Sequence, residues 1–581
     1  MSSSIRWQHF EPAALKAAAA ADRPVLLVIT APWCPHCRAL MAETFTDAQV
    51  VAAVEAGFVP MLVDAERRPD VNQRYGSGAW PTIAWLTPEG ELLAHDNFLD
   101  APALRQRLEQ VQKIWRQDKQ DIRRGMRELW AHQEDRSSTT RHRLRREMVD
   151  DIVDAIYEKF DARHGGFGVG SKFPHPEAID FALVQVVKRG DHRMREVVTL
   201  TLDRMQESPL HDPIEGGFFR FSHTADWQSP NHEKLLDQNA LVLRAFLEAF
   251  QVFGTPAYRS TAESIVRWMT QTMRLDVGAM AGSEAGAPDY YLADAAGRQL
   301  AERPRRDTTV YCHANAIAVS SLLKAAAVLS RPELVTVAMT TLRFLLENLH
   351  DGRDVFHYWD GTYHLPGMLS DQAYLIRALI DASQGTGDAD LLLPAEAIAE
   401  RAIARHKAPN GGFFDILHDP GTQGSMRRRN RSILDNATMA ESLVRLSYLS
   451  RRPEFYQEAI AALEAFAVDY KEYGYYVAGY GRAVDLVFYE PLFLTIVGDR
   501  EDPELVALRR TALQTYVPSR IVQTLDPAHD PVLLGRSGLR VEPRPVAYLT
   551  VGNSHCAIAR TVPELLAAID SVETARRRSI S

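Results

Sequence analysis

Two different rhythms of apolar and polar positions divide the chain. Over residues 1 to about 110, short apolar runs of strand length alternate with amphipathic stretches. Val25-Leu26-Leu27-Val28-Ile29 predicts a buried strand, and a helical stretch from Pro35 to Phe45 follows it. Phe58 to Val63 and Thr82 to Leu86 predict two further strands. The turn Thr87-Pro88-Glu89-Gly90 leads to Glu91-Leu92-Leu93. Strands alternating with helices define a small α/β unit. From about Ala101 to Arg146 the chain is charged and favours helix, with a Ser/Thr break at Ser137 to Thr140 that predicts a domain boundary. The remaining residues show almost no β signal and carry apolar residues at three- and four-residue spacing. Leu236, Leu243, Leu247 and Phe250, for example, share one helix face.

The helical part repeats itself. Leu235-Leu236-Asp237-Gln238-Asn239-Ala240-Leu241 resembles Leu369-Ser370-Asp371-Gln372-Ala373-Tyr374-Leu375, and both resemble Ile433-Leu434-Asp435-Asn436-Ala437-Thr438-Met439. Fainter copies place six repeat alanines at positions 178, 240, 316, 373, 437 and 483. Glycine-aromatic turns precede several of these helices: Gly165-Gly166-Phe167, Gly216-Gly217-Phe218, Gly411-Gly412-Phe413 and Gly474-Tyr475. Two helices per interval give six helical hairpins. Irregular spacing and long aromatic-rich loops favour closure into an (α/α)6 toroid around a pocket. The fold expected is therefore α/β plus all-α: a domain over 1–112, a helical linker over 113–145 and the barrel over 146–581.

Composition narrows the function classes. With 66 Lys+Arg against 75 Asp+Glu the net charge is -9, which argues against a nucleic-acid binder. Met1 to Phe10 lacks the apolar core of a signal peptide, and no apolar run reaches the length of a membrane span. The four cysteines, Cys34, Cys37, Cys312 and Cys556, are too few for a disulfide scaffold. A cytoplasmic protein without membrane or nucleic-acid partners is expected.

The sharpest chemical signal is Ala31-Pro32-Trp33-Cys34-Pro35-His36-Cys37, directly after a strand and opening a helix. A thiolate there faces free backbone N–H groups and the positive end of the helix dipole. The spacing lets Cys37 resolve a mixed disulfide formed on Cys34. A zinc half-site would need two more ligands at suitable spacing, and Cys312 and Cys556 have no such company; no metal and no cofactor are expected. His36 would stabilise the thiolate. This predicts a potential between the roughly -270 mV of thioredoxin and the roughly -120 mV of DsbA.

Asp22-Arg23-Pro24-Val25, Trp33-Cys34-Pro35-His36-Cys37 and Trp80-Pro81-Thr82 resemble the thioredoxin fold. The resemblance implies a cis Pro81 facing the dithiol, with Trp33 and Pro81 shaping the surface where a partner docks. Glu43-Thr44-Phe45, Val63-Asp64-Ala65-Glu66 and Gly78-Ala79-Trp80-Pro81 are similar to the YyaL-type, spermatogenesis-associated protein 20-like family. Lys172-Phe173-Pro174 and His232-Glu233-Lys234-Leu235-Leu236-Asp237 continue that similarity downstream. The family joins a thioredoxin-like domain to a six-hairpin, glycosidase-like or epimerase-like barrel. This chain departs from it in three places. It carries CPHC where the family has CHWC, a shorter segment between Tyr75 and Trp80, and Thr550 where the family often has a cysteine, leaving only Cys556.

In the barrel, Trp227, His232, Glu233, Asp237, His313, Asp371 and Asp435 are the pocket candidates. Sugar sites need carboxylates for acid/base work and aromatic faces for the ring. Each Asp shortly before a repeat alanine is equally explained as a helix cap. The function expected is a thiol–disulfide oxidoreductase module acting on a disulfide-containing protein or a small thiol, fused to a barrel with a carbohydrate-type pocket. The alternatives are a carbohydrate hydrolase or N-acylglucosamine 2-epimerase-like enzyme, and a non-catalytic binding or chaperone-like scaffold.

Overall fold

The computed structural model describes residues 4–134, 142–552 and 554–578. The Ser137 to Thr140 break lies outside them. The chain divides into two units. The first comprises Met1–Thr140 with the short segments Glu284–Gly286 and Asp415–Asn430, and the second comprises the rest.

The first unit contains α1 (Pro12–Ala21), β1 (Val25–Thr30), α2 (Pro35–Ala42), α3 (Ala48–Gly57), β2 (Val59–Asp64), α4 (Pro69–Tyr75), β3 (Thr82–Leu86), β4 (Leu92–Asp96) and α5 (Ala101–Glu134). The sheet order is β2-β1-β3-β4. β1 is parallel to β2 and antiparallel to β3, with Val25 opposite both Val59 and Leu86. The central strands are buried on both faces, which explains why β1 and β3 are continuous apolar runs. Leu27 and Ala84 pack into the core beneath one face, and Leu26, Val28 and Trp85 into the core beneath the other. The domain limit expected at residue 112 falls inside α5, which runs unbroken from 101 to 134. No Pro interrupts it after position 102, and its one interior glycine, Gly125, costs too little to end a helix of that length.

The second unit holds twelve long helices in a double ring. They are α6 (Glu147–Lys159), α7 (Pro176–Arg189), α8 (His192–Glu207), α9 (Leu236–Phe253), α10 (Pro256–Arg267), α11 (Cys312–Val328), α12 (Glu333–Asn348), α13 (Leu369–Thr386), α14 (Leu392–His406), α15 (Ile433–Ser450), α16 (Pro453–Glu464) and α17 (Ala478–Phe488). Helices α7, α9, α11, α13, α15 and α17 contact one another in that order, and α17 returns to α7, which closes the inner ring. Each outer helix packs on an inner one, with α6 against α17. This is the six-hairpin toroid, and every repeat alanine lies on an inner helix. Between α12 and α13 the chain forms a hairpin of β5 (Phe356–Trp359) and β6 (Tyr363–Pro366).

The structure departs most from the expected layout after α17. Residues 492–578 form a second four-stranded sheet where a purely helical barrel was expected. It comprises β7 (Leu492–Val497), α18 (Pro503–Gln514), β8 (Arg520–Leu525), β9 (Val546–Val551), β10 (Ser554–Ala559) and α19 (Val562–Arg578). The order is β8-β7-β9-β10, with β7 parallel to β8 and antiparallel to β9. Leu492-Phe493-Leu494-Thr495-Ile496-Val497 is buried throughout. A short apolar run of that kind does not separate strand from buried helix by periodicity alone. Among the described residues, no helix is long and apolar enough to cross a membrane.

Candidate functional site

In the first unit, β1 ends at Thr30 and the chain turns through Ala31-Pro32-Trp33 into α2. Cys34 is the N-cap of that helix, in extended conformation, with Pro35 as the first helical residue. The Cys37 amide donates to Cys34 Sγ at 3.2 Å, the bond a capping side chain makes. Cys34 Sγ also lies 3.7 Å from the Trp80 carbonyl, to which its thiol donates. The Trp80–Pro81 bond is cis, as the resemblance implies. The helix start and the loop before β3 therefore converge on one sulfur.

The two cysteines are equally buried, each 3% exposed, so exposure does not distinguish them. Electrostatics distinguish them instead. The Cys37 thiol is pushed far above the usual range, first by its hydrogen bond with Cys34, then by burial and by the charge on Cys34. Cys37 therefore keeps its proton while Cys34 is the sulfur that amides and the helix dipole address. Trp33 is buried, donates from Nε1 to Glu66 at 3.1 Å and meets Trp80 edge-on at 5.3 Å. Pro81 is buried beside it, and His36 is exposed on the first turn of α2.

In the barrel, the repeat is explained by a structural device. The fourth residue of three inner helices is asparagine. Asn239 accepts from the Phe218 amide at 2.6 Å and donates to the Phe218 and Leu235 carbonyls, each at 2.9 Å. Asn436 clamps Phe413 and Ser432 in the same way. Asn315 clamps Met280 and Tyr311. Each asparagine ties a preceding turn to a helix start and satisfies buried backbone groups that would otherwise be orphaned. The Gly-Gly-Phe turns permit the approach. Gly217 has φ +79, and a Cβ there would lie 3.1 Å from Asn239 Oδ1.

The axis of the inner ring is lined by charge. A cavity of about 130 Å³ is bounded by Asp180, Arg244, Glu248, Lys324, Asp381 and Arg445, among others, and is closed at one end by residues 516–521 of the C-terminal sheet region. Glu248 pairs with Lys324 at 2.8 Å and Arg244 at 3.0 Å, and Asp180 with Arg482 at 3.7 Å. Enclosure pushes Asp180 up, with Glu248 adding to the shift. Enclosure also works to raise Glu248, but Lys324 and Arg244 hold it below the usual carboxylate range. The two carboxyls thus favour opposite protonation states, the arrangement that separates an acid from a base.

A second constellation lies where α11 and α13 begin. Val310 and Tyr311 pair with β5, Tyr311 opposite Tyr358, which sets the start of α11 beside that strand. Asp371 in the first turn of α13 is fully buried. Its Oδ1 accepts from the His313 amide at 3.0 Å, and its Oδ2 lies 2.8 Å from His357 Nδ1. Burial works to raise the Asp371 carboxyl, but His357 and then His313 hold it below the usual range. Asp371 therefore caps a helix, though a neighbouring one. His357, buried in a hairpin outside the repeat, has no counterpart in the other copies, so repeat comparison cannot find it.

The other candidates scatter. Trp227 is fully buried and donates from Nε1 to the His164 carbonyl at 2.9 Å, a core position. His232 stacks on Tyr291 at 6.0 Å, and burial lowers its basicity. Glu233 is buried nearby in sequence. Asp237 and Asp435 sit in the first turns of α9 and α15, and Ser432 rather than Asp435 caps α15, accepting the Asp435 amide at 3.2 Å. Of this set, His313 and Asp371 are brought together.

A dithiol at a strand–helix junction opposite a cis-proline, on a β2-β1-β3-β4 sheet, defines the first unit as thioredoxin-like. Residues 1–134 match the Thioredox_DsbH family, described as a protein of unknown function, DUF255. The chain is similar to spermatogenesis-associated protein 20 over part of its length. It is 25% identical over 299 residues to spermatogenesis-associated protein 20 of Rattus norvegicus and of Homo sapiens, covering 46% of this chain and 37% of each relative. It thus matches little more than a third of the length of these relatives. Among solved structures, cellobiose 2-epimerase from Spirochaeta thermophila overlaps with a TM-score of 0.46 at 14% identity, covering 59% of this chain and 98% of that one.

Proposed function

We propose that the first unit is a thiol–disulfide exchange module. Cys34 is the nucleophile and Cys37 the resolving thiol; Trp33 and Pro81, both buried, position the dithiol behind the face a partner would meet. The observation that carries this is the Cys37 amide donating to Cys34 Sγ at the start of α2. In the reductive direction the Cys34 thiolate attacks one sulfur of a partner disulfide, and the partner's other sulfur leaves as thiolate. The Cys37 thiol then gives up its proton to the partner's released thiolate and attacks Cys34 Sγ, breaking the mixed disulfide and releasing the partner's second sulfur as thiolate. The reduced partner departs, and a Cys34–Cys37 disulfide remains. The partner is a disulfide-containing protein or a small thiol, and the compartment a reducing cytoplasm, in keeping with four cysteines in 581 residues.

Insulin-disulfide reduction by the full chain tests this, together with iodoacetamide labelling against pH read at each cysteine. Labelling of Cys34 well below pH 8.5 is expected. Ordinary thiol titration at Cys34 and no reductase activity would overturn the proposal.

A second reading concerns the barrel: a carbohydrate-type ligand taken along the ring axis, in the manner of a hydrolase or 2-epimerase. The opposed protonation preferences of Asp180 and Glu248 beside a small polar cavity favour it. Thermal-shift screening against a sugar library tests it, with Glu248→Gln expected to remove any ligand-dependent shift. The absence of a shift with every sugar would leave the barrel as a scaffold.

A further inference from the structure

We infer that His313, His357 and Asp371 form a binding site for a divalent transition-metal ion, and that Zn²⁺ is the ion their donor set fits. The three residues come from separate elements: the first turn of α11, the strand β5 and the first turn of α13. One ligand atom from each lies within 4.8 Å of the other two. His357 Nδ1 is 2.8 Å from Asp371 Oδ2, and His313 Nδ1 is 3.6 Å from Asp371 Oδ1. Tetrahedral zinc bonds of about 2.0–2.2 Å set ligand atoms about 3.3 Å apart, so the three donors, within 4.8 Å of one another, need to close in by about 1 Å at most to share one ion.

The chemistry agrees with the geometry. Two imidazoles and one carboxylate are borderline ligands suited to zinc. The Asp371 side chain is fully buried, so its negative charge lacks the solvation of a surface carboxylate, and a bound cation would supply the compensation. The His313 amide on Asp371 Oδ1 is the kind of outer hydrogen bond that orients a metal-ligating carboxylate. His357 is sealed, and His313 Nδ1 is itself buried although the His313 side chain as a whole is 22% exposed. The proposal is independent of whether the barrel takes a sugar.

The test uses the full chain with Cys34 and Cys37 both replaced by Ser, so that the dithiol cannot capture metal. After chelator treatment and dialysis, Zn²⁺ is titrated by calorimetry, and Co²⁺ is added separately to read the visible band of a tetrahedral site. One Zn²⁺ per chain is expected, with a tetrahedral Co²⁺ band. Asp371→Asn keeps an acceptor for the His313 amide, and His313→Ala alters a partly exposed side chain. Both should fold, as read by circular dichroism, and both should bind Zn²⁺ at least about 100-fold more weakly. Failure to bind Zn²⁺ stoichiometrically would overturn the proposal, as would binding that neither substitution weakens.

Discussion

The two four-stranded sheets share one topology and differ at one junction. In the first unit β1 is parallel to β2, and β3 and β4 are antiparallel beside it. In the C-terminal region β7, β8, β9 and β10 repeat that order and those directions. Each first strand leads into a helix whose N-cap side chain accepts a backbone amide. Cys34 accepts from Cys37 in α2, and Asp502 accepts from Glu504 in α18 at 2.7 Å. Each third strand follows a proline, Pro81 or Pro545, and only the first is cis. The same helix-start electrostatics thus serves a thiol in one sheet and a carboxylate in the other. The comparison teaches that topology builds the anion-favouring junction, while the residue placed there decides whether it can exchange disulfides.

The largest effect expected from breaking this contrast is at the first junction. Cys34→Ser should lower the rate of disulfide reduction at least about 1000-fold, because the attacking sulfur is gone. Asp502→Ala should leave that rate unchanged, and stopped-flow insulin reduction of both variants checks the difference.

The cores below the two sheets come next. Leu27 and Leu494 are both fully buried, so truncation of either to Ala should cost about 2–5 kcal/mol. Because the residues belong to different units, Leu27→Ala should shift one denaturant transition and Leu494→Ala the other. Urea melts read by fluorescence would show whether the two shifts separate.

Acid should weaken the second unit through histidines held neutral inside it. Burial lowers both His175 and His211 to about 4. A folded value below the unfolded value of about 6.5 means that unfolding takes up protons. Their contribution is whole above pH 6.5 and is lost as pH falls towards 4. After allowance for partial exposure, the loss should be about 2 kcal/mol for the pair. Melting temperatures from pH 7 to 4 should fall, and His211→Gln should flatten the slope.

The smallest effect is at the second junction. Asp502→Ala removes a single capping bond and should cost about 1 kcal/mol, with Asp502→Asn costing much less. Chemical denaturation of the two variants measures this directly.

Much of this architecture is legible without coordinates because local physics writes it into the chain. β1 and β3 are apolar runs of strand length, Pro35 follows a capping residue at a helix start, and Cys34 and Cys37 stand one turn apart. The repeat alanines mark the inner helices because only small side chains suit the crowded faces where those helices pack. The repeated Asp and Asn positions are also plain in the chain, but their roles are not. Asn239, Asn315 and Asn436 clamp turns that lie 21 to 35 residues earlier, a relation no local pattern records.

The second sheet escapes local inspection because its central strand, Leu492 to Val497, follows a long series of helices and periodicity alone does not separate such a short apolar run from a buried helix. The cluster at Asp371 escapes it for a different reason. His313 and His357 are 58 and 14 residues away in sequence, and only the packing of α11 beside α13, with β5 paired to Tyr311, brings them together. By itself the sequence determined periodicity, capping and the dithiol spacing, all set by contacts within a few residues. Closure of the ring, the repeated sheet topology and the meeting of one carboxylate with two imidazoles were decided only by tertiary structure, because each depends on which distant surfaces bury one another.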